Sequence, residues 1–354
     1  MSETDLLALT EELCAIPSVS GDEAAMADDV ERRLRANAPS LKIDRIGNNV
    51  IARTDLGRAR RIVLGGHLDT VPPNDNAQPR RDGAMLHGLG TADMKGGLAV
   101  LVDLARDLEA KPPASDVTLF FYDGEEVADE HNGLRRLFEH WPELVHGDLA
   151  ILLEPTGGWV EAGCQGTIHV RATFHGKRSH SARPWMGENA IHKAAALLAK
   201  VAAFDAATVD VDGLEYRESL QVVRVEGGIA NNVVPDRCAV TINRRYAPSR
   251  SLDDAVAEVT ALCAGADEIE VLNASPAAPP NLLNPLIAEL LGVYDLPVRP
   301  KLGWTDVARF AAHGIPACNL GPGDPELAHT ATEKVDRHDL DGCRRVLAAF
   351  VGAA

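Results

Sequence analysis

Three short apolar runs in this chain each lead into side chains that carry charge or bind metals. His67 follows residues 62–66, the pair Glu125 and Glu126 follows residues 117–122, and Glu154 closes residues 149–153. Wholly apolar runs of this length are typical of strands that are buried on both faces of a sheet. In open α/β sheets, ligands bind beyond the carboxyl ends of the strands. The three runs therefore predict an α/β sheet whose polar ends converge in one cleft.

Helical periodicity surrounds these strands, over residues 6–14, 23–35 and 96–108. Alternating helices and strands indicate a mixed sheet with helices on both faces. After residue 166 the pattern changes to a β-α-β-β-α-β order, which is that of the ferredoxin-like α+β unit. Its predicted strands cover residues 167–174, 220–225, 238–243 and 269–272, and its predicted helices cover residues 189–203 and 251–263.

This change of pattern predicts two domains. Residues 1–166 and 276–354 are expected to form a discontinuous α/β domain, and residues 167–275 a smaller domain inserted into it. The segment 273–280, rich in proline and alanine, reads as the linker where the inserted domain ends.

The composition limits the kinds of partner that the chain can have. The formal net charge is −17, whereas nucleic acids and anionic membranes require a cationic face. The longest apolar runs have the length of strands, and the acidic start MSETDLLALTEEL lacks the features of a signal peptide, so a cytoplasmic protein is expected. The six cysteines are scattered without a CxxC pair, which favours reduced and buried thiols over a catalytic cysteine.

Five residues in short, polar contexts have the chemistry of metal ligands: His67, Asp93, Glu126, Glu154 and His329. Three carboxylates and two imidazoles exceed the three protein ligands that a single catalytic zinc usually takes. The set suits two metal ions if one carboxylate bridges them. Two divalent cations bring roughly +4 charges, three carboxylates −3 and a hydroxide −1, so the loaded site would be neutral. We therefore expect metal-assisted hydrolysis.

Each motif also has a simpler interpretation when it is taken alone. An isolated His-x-Asp such as His67 to Asp69 is more often a polar loop, and Asp93 before a helix is more often a helix cap. Paired glutamates are commonly a solvated acidic loop, and a lone loop histidine such as His329 commonly has no special role. Placement at strand ends favours the catalytic interpretation for His67, the glutamate pair and Glu154, whereas for Asp93 and His329 the simpler interpretations stay open at this point.

The chain resembles the M20 family of dinuclear metallopeptidases and amidohydrolases in five segments that follow the family's order: GGHLDTVP, GLGTADMKGG, GEE, EPT and the late histidine of GDPELAHT. The resemblance spans nearly the whole chain. It implies a catalytic domain like that of the dinuclear-zinc aminopeptidases, with residues 167–275 as a lid and dimerisation domain. The family often has a cis peptide bond after the aspartate that corresponds to Asp93.

The resemblance also implies a role for each residue. His67 with Glu154 would bind one divalent metal ion, Glu126 with His329 the other, and Asp93 would bridge the two. Zn²⁺ is the expected metal, with Co²⁺ or Mn²⁺ as alternatives, because mixed nitrogen and oxygen sites accept all three. Glu125 would be the general base and Asp69 a supporting catalytic residue. His180 would help to bind the tetrahedral intermediate in the partner subunit, which implies a homodimer.

Within the M20 family, the chain most resembles the succinyl-diaminopimelate desuccinylases of the actinobacterial type, in the segments GKRSHSARPWMGENAIHK, GGIANNVVPD, LGWTDVARF and PACNLGPGDPELAHT. That resemblance implies hydrolysis of N-succinyl-LL-2,6-diaminopimelate to succinate and LL-2,6-diaminopimelate, in diaminopimelate and lysine biosynthesis. This substrate has three carboxylates, which arginine binds bidentately. The expected substrate-binding residues are Arg178, Asn231, Asn232, Arg244, Thr305 and Gly321.

Two alternatives stay open at this point. Another M20 amide hydrolase, such as an acetylornithine deacetylase, an aminoacylase or a carboxypeptidase, would share the same metal motifs. A metal-retaining binding or regulatory protein without turnover would have no need of the base Glu125, which this chain has.

Overall fold

The computed structural model of the protein describes residues 5–353. The α-helices are α1 (Leu6–Cys14), α2 (Ala24–Asn37), α3 (Lys95–Ala110), α4 (Gly133–His140), α5 (Pro142–Val145), α6 (Ala190–Ala202), α7 (Leu252–Leu262), α8 (Pro285–Gly292), α9 (Val307–Ala312) and α10 (Arg337–Val351). The strands of the first part of the chain are β1 (Lys42–Ile46), β2 (Asn49–Arg53), β3 (Arg61–His67), β4 (Arg80–Asp82), β5 (Met85–His87), β6 (Asp116–Tyr122), β7 (Leu149–Leu152) and β8 (Val160–Ala162).

The remaining strands are β9 (Gly166–His175), β10 (Ser179–His180), β11 (Thr208–Val211), β12 (Leu214–Arg217), β13 (Ser219–Gly227), β14 (Val233–Val234), β15 (Arg237–Tyr246), β16 (Glu268–Ser275), β17 (Val298–Pro300), β18 (Ala317–Asn319) and β19 (Lys334–Asp336). The chain divides into two compact units. Unit 1 comprises Met1–Ala162, Asn281–Arg299 and Arg309–Ala354, and unit 2 comprises Gly163–Pro280 and Pro300–Ala308.

Unit 1 is built on an eight-stranded mixed sheet in the order β1-β2-β6-β3-β7-β18-β8-β17. The neighbours β6, β3, β7 and β18 run parallel, so their carboxyl ends lie at one edge. Phe121 of β6 packs into a core with residues of α1, α2, α3 and α10. Phe120, which points to the opposite face, packs against Phe310 of α9, and Phe310 packs against Phe138 of α4. The predicted mixed sheet with helices on both faces is confirmed.

Helix α3 lies unusually close to the end of β7, because a glycine is at the contact. A Cβ atom on Gly97 would lie 2.6 Å from the carbonyl oxygen of Leu153, which is closer than side chains approach a backbone oxygen. The helix start and the end of this strand are therefore drawn together. Asp93 precedes the helix and Glu154 follows the strand, so this contact brings two of the predicted ligand segments to the same edge.

Unit 2 contains a four-stranded antiparallel sheet in the order β13-β15-β9-β16, with α6 and α7 packed on one face. In chain order this is second, third, first and fourth, the arrangement of the ferredoxin-like fold. Both helices begin at residues whose side chains cap them. Asn189 accepts from the backbone N–H of Ile191, and Ser251 accepts from that of Asp254, as the Ser-x-x-Asp pattern predicts.

Some elements differ from the sequence expectation. Strands β11 and β12 form a hairpin that we did not predict, although its turn residues Asp212 and Gly213 have φ of 54° and 84°, the left-handed pair that an Asp-Gly turn favours. Strand β16 continues to Ser275, so regular structure enters the segment that was expected to be a linker. All six cysteines are free and buried, as expected. Among the described residues, no helix is long and apolar enough to cross a bilayer.

Candidate metal centre

The five predicted ligands all lie in unit 1, near the carboxyl ends of parallel strands. His67 is the last residue of β3, Glu126 lies in the loop after β6, and Glu154 lies just beyond β7. Asp93 lies in the turn before α3, and His329 in the loop between β18 and β19. Parallel strands end at one edge of the sheet, and this common edge is what allows distant segments of the chain to meet.

Three of these side chains form a tight cluster. Ligand atoms of His67, Asp93 and Glu126 all lie within 4.8 Å of one another. His329 joins them, because its Nε2 lies 2.8 Å from Oε1 of Glu126 and 3.3 Å from Oδ2 of Asp93. Glu154 is buried, and its negative charge acts on the imidazole of His67.

Asp93 connects the two imidazoles. Its Oδ1 lies 3.1 Å from Nε2 of His67, and its Oδ2 lies 3.3 Å from Nε2 of His329. The peptide bond between Asp93 and Met94 is cis, as the family resemblance implied. One oxygen of this carboxylate thus faces each histidine, which is the arrangement that a bridging carboxylate requires.

The orientation of His67 is set through its other ring nitrogen. Nδ1 lies 2.9 Å from the backbone oxygen of Asp69, to which a neutral ring donates its proton, so the lone pair of Nε2 faces the cluster. We expected the carboxylate of Asp69 to make this contact. Its Oδ1 is 3.6 Å from Nδ1, which is too far for a hydrogen bond.

The carboxylate of Asp69 instead holds the loop that carries the glutamates. It accepts from the backbone N–H of Glu125 at 3.1 Å and of Glu126 at 3.0 Å. The hydroxyl of Ser20, which the sequence analysis did not single out, donates to the same carboxylate at 2.7 Å. Asp69 is completely buried, so it fixes both glutamate backbones in the interior of unit 1.

The electrostatics of the cluster reflect close opposite charges. Burial alone would lower the pKa of His67, but Asp69, Asp93 and Glu154 raise it well above its usual value. Hydrogen bonds with Asp93 and Glu126 raise the pKa of His329 to about 10. Burial alone would raise the pKa of Asp93, but the two histidines lower it. The groups therefore form a pocket of carboxylates that attracts positive charge.

Gly321 lies at the same edge of the sheet, next to the residues that follow β7. Its N–H donates to Oγ1 of Thr156, and that hydroxyl donates to the carbonyl of Gly321. A Cβ atom at this position would lie 2.3 Å from the carbonyl oxygen of Leu153 and 2.4 Å from that of Glu154. Only glycine permits this approach, so the structure gives Gly321 a backbone reason in addition to its predicted substrate contact.

The donor set fits divalent metal ions. Imidazole nitrogen and carboxylate oxygen are the donors that zinc and related metals take in hydrolases, and four of the five donors already converge. Drawing partly buried carboxylates and imidazoles together is costly unless a cation or a shared proton compensates them. The chemistry of the cluster therefore fits a dinuclear metal centre.

Several predicted site residues of unit 2 are exposed to solvent. His180 is exposed at the end of β10, and its Nδ1 accepts from the backbone N–H of Ala182, which leaves the proton of a neutral ring on Nε2. Asn231 and Asn232 lie in an exposed turn, where the carbonyl of Asn232 accepts from the N–H of Ser181. The structure thus brings His180 and Asn232 into one local cluster of unit 2.

Two other predicted contacts of unit 2 have identifiable partners within it. Arg178 is half exposed and donates through Nε and Nη2 to the carboxylate of Asp236, at 3.1 and 2.9 Å. Thr305 is buried, and its backbone carbonyl accepts from the N–H of Ala308.

The structure corrects the prediction that Arg244 contacts the substrate. Its guanidinium is 1% exposed, donates to Glu218 at 2.6 Å and stacks over the ring of Phe204 at 4.9 Å. It therefore belongs to the interior of unit 2, on the side of the sheet that the helices cover. A role in binding carboxylates from outside is incompatible with this burial.

The neighbouring Arg245 is on the opposite face of β15, as strand alternation requires. Its Nε donates to Asn243, which donates in turn to Oγ1 of Thr167 and approaches Nε2 of His169. Partial burial lowers the pKa of Arg245. The alternation of Ile242, Arg244 and Tyr246 with Asn243 and Arg245 was readable in the sequence and could have identified the accessible arginine.

Comparisons with known proteins add a second line of observation. Residues 63–353 match the model of peptidase family M20/M25/M40. A Mycobacterium tuberculosis protein that carries the name succinyl-diaminopimelate desuccinylase DapE is 48% identical over 349 residues, covering 98% of each chain. The succinyl-diaminopimelate desuccinylase of Corynebacterium glutamicum is 45% identical over 98% of this chain and 96% of its own. The crystal structure of aminopeptidase PepT from Bacillus cereus has a TM-score of 0.81 at 21% identity, over 99% of this chain and 98% of that one, which shows a shared fold.

Proposed function

The chain belongs to peptidase family M20/M25/M40, and from this premise we propose that it hydrolyses N-succinyl-LL-2,6-diaminopimelate to succinate and LL-2,6-diaminopimelate. The observation that carries the proposal is the cluster of His67, Asp93, Glu126 and His329 beside Glu125, in a chain that resembles desuccinylases over nearly its whole length. The proposed reaction belongs to diaminopimelate and lysine biosynthesis.

We propose that two divalent ions, most simply Zn²⁺, are held by His67 with Glu154 and by Glu126 with His329, with Asp93 shared between them. When bound, such ions polarise the amide carbonyl and make a water molecule acidic enough to attack at neutral pH. The contacts of Asp93 with both histidines support this division of the ligands.

Glu125 is the proposed general base. Its backbone N–H is held by Asp69, and its neighbour Glu126 is the ligand, so the two adjacent carboxylates have different surroundings. A carboxylate in this position accepts a proton from the attacking water and delivers it to the nitrogen of the leaving amine. The C–N bond then breaks, and succinate and the free amine are released.

Unit 2 is proposed to be the lid and dimerisation domain and to supply substrate contacts. Arg245, with its half-buried guanidinium on the open face of the sheet, takes the role that we had expected of Arg244. A planar guanidinium can pair bidentately with one carboxylate of the substrate. The residues that we propose to bind the other polar groups of the substrate are His180, Arg178, Asn231, Asn232 and Thr305, together with Gly321 of unit 1.

A homodimer through unit 2 is supported by its edge strand. β13 is at one end of the four-stranded sheet, and Val223, Val225 and Ile229 in and after it are 56%, 48% and 64% exposed. An exposed apolar edge strand is a template for pairing with another chain, and a two-fold axis would pair it with its own copy. Light scattering of the purified protein should give twice the chain mass, and Val223→Lys with Val225→Lys should give monomers.

One panel of substrates tests the proposed reaction. The protein loaded with Zn²⁺ or Co²⁺ should hydrolyse N-succinyl-LL-2,6-diaminopimelate with a kcat/KM well above its values for acetylornithine and for dipeptides. A preference for acetylornithine or for a dipeptide would show that the chain is a different M20 amide hydrolase. Absence of hydrolysis across the panel by the metal-loaded protein would favour a binding or regulatory role.

A further inference from the structure

A buried carboxylate outside the proposed ligand set holds the loop that carries Asp93. Glu333 is 1% exposed, and its two oxygens accept three backbone hydrogen bonds. Oε1 accepts from the N–H of Ala92 at 2.9 Å and of Asp93 at 3.1 Å, and Oε2 accepts from that of Gly90 at 3.1 Å. A carboxylate that accepts several backbone N–H groups makes strong, charge-assisted bonds.

The helix that follows this loop begins without a side-chain cap of its own. Helix α3 starts directly after the loop, and its N-cap residue Met94 makes no side-chain capping bond. The backbone N–H groups before a helix need acceptors when they are buried. Glu333 supplies these acceptors from a segment 240 residues further along the chain. Burial raises the pKa of Glu333 to about 7, and the hydrogen bonds from the backbone N–H groups of Asp93, Ala92 and Gly90 act in the opposite direction.

The same segment also carries His329, and further bonds join it to Gly88 and to Asn76. The N–H of Gly88 donates to the carbonyl of Glu333 at 3.1 Å, and Nδ2 of Asn76 donates to the carbonyl of Thr330 at 3.0 Å. Immediately afterwards, β19 pairs with β5. Glu333 thus joins, through its side chain, the segment that carries His329 to the backbone of the loop that carries Asp93.

We propose that Glu333 is a positioning residue for Asp93: it fixes the backbone of the loop so that the carboxylate of Asp93 faces both His67 and His329. This inference rests on the proposed function, because it concerns the residue proposed to bridge two metal ions. Replacing an outer residue that orients a metal ligand lowers metal affinity or activity about 10–100-fold. Glutamine at position 333 has one acceptor oxygen, so the N–H of Gly90 would face an amide NH₂ group instead.

The experiment compares Co²⁺ binding by the wild type, Glu333→Gln and Glu333→Asp, starting from protein that has been stripped of metal with a chelator. Binding is followed by calorimetry and by the visible absorption of Co²⁺, which reports its coordination. We expect Glu333→Gln to bind Co²⁺ about 10–100-fold more weakly, with an altered spectrum. Glu333→Asp keeps the charge but shortens the side chain by one methylene group, so its Co²⁺ affinity should also fall. This variant tests the inference if Glu333→Gln does not fold.

Asp116→Asn is the matched control. Asp116 is also a buried carboxylate of unit 1, and it accepts from the N–H of Leu56 and of Arg58 and from the hydroxyl of Thr54, away from the proposed ligands. It should lower the thermal midpoint of the stripped protein while leaving Co²⁺ affinity and spectrum as in the wild type. A merely structural role for Glu333 predicts this same result for Glu333→Gln.

Unchanged Co²⁺ affinity and spectrum in both Glu333 variants would overturn the inference and leave the proposed function intact. An equal loss of affinity in Asp116→Asn would overturn it too, because the effect would then be general destabilisation. Failure of the wild type itself to bind Co²⁺ would overturn the proposed function and this inference with it.

Discussion

The polar groups of the two units are held in place by different means. In unit 1, Asp69 is bound by the backbone N–H groups of Glu125 and Glu126, and the proposed ligands lie at the end of a strand or in loops. In unit 2, arginines are held by other side chains, as in the pairs of Arg178 with Asp236 and Arg244 with Glu218. Among its remaining candidates, His180, Asn231 and Asn232 are exposed and Thr305 is buried.

This difference separates two requirements of an enzyme. Groups that perform chemistry must be held in the productive geometry before the substrate arrives, and buried backbone bonds achieve that. Groups that recognise a substrate gain from side chains that can exchange one partner for another. Variants in unit 1 should therefore change kcat or metal binding, and variants on the surface of unit 2 should change KM.

The strongest test of the first half of this comparison is Glu125→Gln. Removal of the base should lower kcat by about 10²–10⁴-fold, because glutamine cannot accept the proton from water. Metal content, measured by elemental analysis, should equal that of the wild type. Retention of most of the activity would show that another group is the base.

Arg244→Ala tests whether this buried arginine of unit 2 stabilises the fold or binds the substrate. Because it leaves Glu218 buried without its main partner, it should destabilise the protein by about 3–5 kcal/mol in urea unfolding. Replacing both members, as in Arg244→Met with Glu218→Gln, should restore much of this stability. A stable Arg244→Ala protein with a strongly raised KM would reinstate Arg244 as a substrate contact.

Arg245→Ala should behave in the opposite way. If this arginine binds a substrate carboxylate, its loss costs about 1.5–3 kcal/mol of binding, which raises KM roughly 10- to 150-fold. Metal content and the urea midpoint should change little, and Arg245→Lys should restore only part of the affinity because it lacks the planar fork. An unchanged KM for succinyl-diaminopimelate would remove Arg245 from the site.

Asp69→Asn tests whether backbone anchoring matters for the metal centre. The amide keeps one acceptor oxygen, so its NH₂ group would face the N–H of either Glu125 or Glu126 in place of an acceptor. We expect about a 10–100-fold loss of metal affinity or activity. Ser20→Ala, which removes a single hydrogen bond to the same carboxylate, should cause a smaller loss in the same assays. Equal losses in the two variants would argue against the backbone contacts as the dominant effect.

The smallest effect on stability is expected for Arg178→Ala. Its pair with Asp236 is exposed to solvent on both sides, and such pairs contribute about 0–1 kcal/mol. A raised KM with unchanged urea unfolding would identify Arg178 as a substrate contact that leaves Asp236 when the substrate binds. Unchanged KM would restrict carboxylate recognition to the open face around Arg245.

The fold and three of the proposed ligands could be predicted because their signals are local, whereas Asp93 and His329 were identified through the resemblance to the M20 family. Apolar runs that end in His67, Glu126 and Glu154 identify strands and their polar ends in one reading of the chain. Glu333 was not found, because a carboxylate that accepts backbone N–H groups leaves no pattern near itself; its partners are 240 residues away. Arg244 was chosen over Arg245 because the two faces of the strand were not distinguished. Successive residues of a strand point to opposite faces, so a shift of one residue moves a side chain from the accessible face to the buried one.

The position of His329 and Glu333 in the chain order has a consequence for synthesis. A ribosome releases the segments that carry His67, Glu126 and Glu154 long before it releases these two residues. All of unit 2 up to Pro280 emerges in between. The early segments can form their part of the sheet, since domains fold as the chain emerges. The proposed ligand set nevertheless stays incomplete, with its carboxylates exposed to competing cations, until the final segment has been synthesised. A nascent chain arrested after unit 2 should therefore bind Zn²⁺ more weakly than the released protein does.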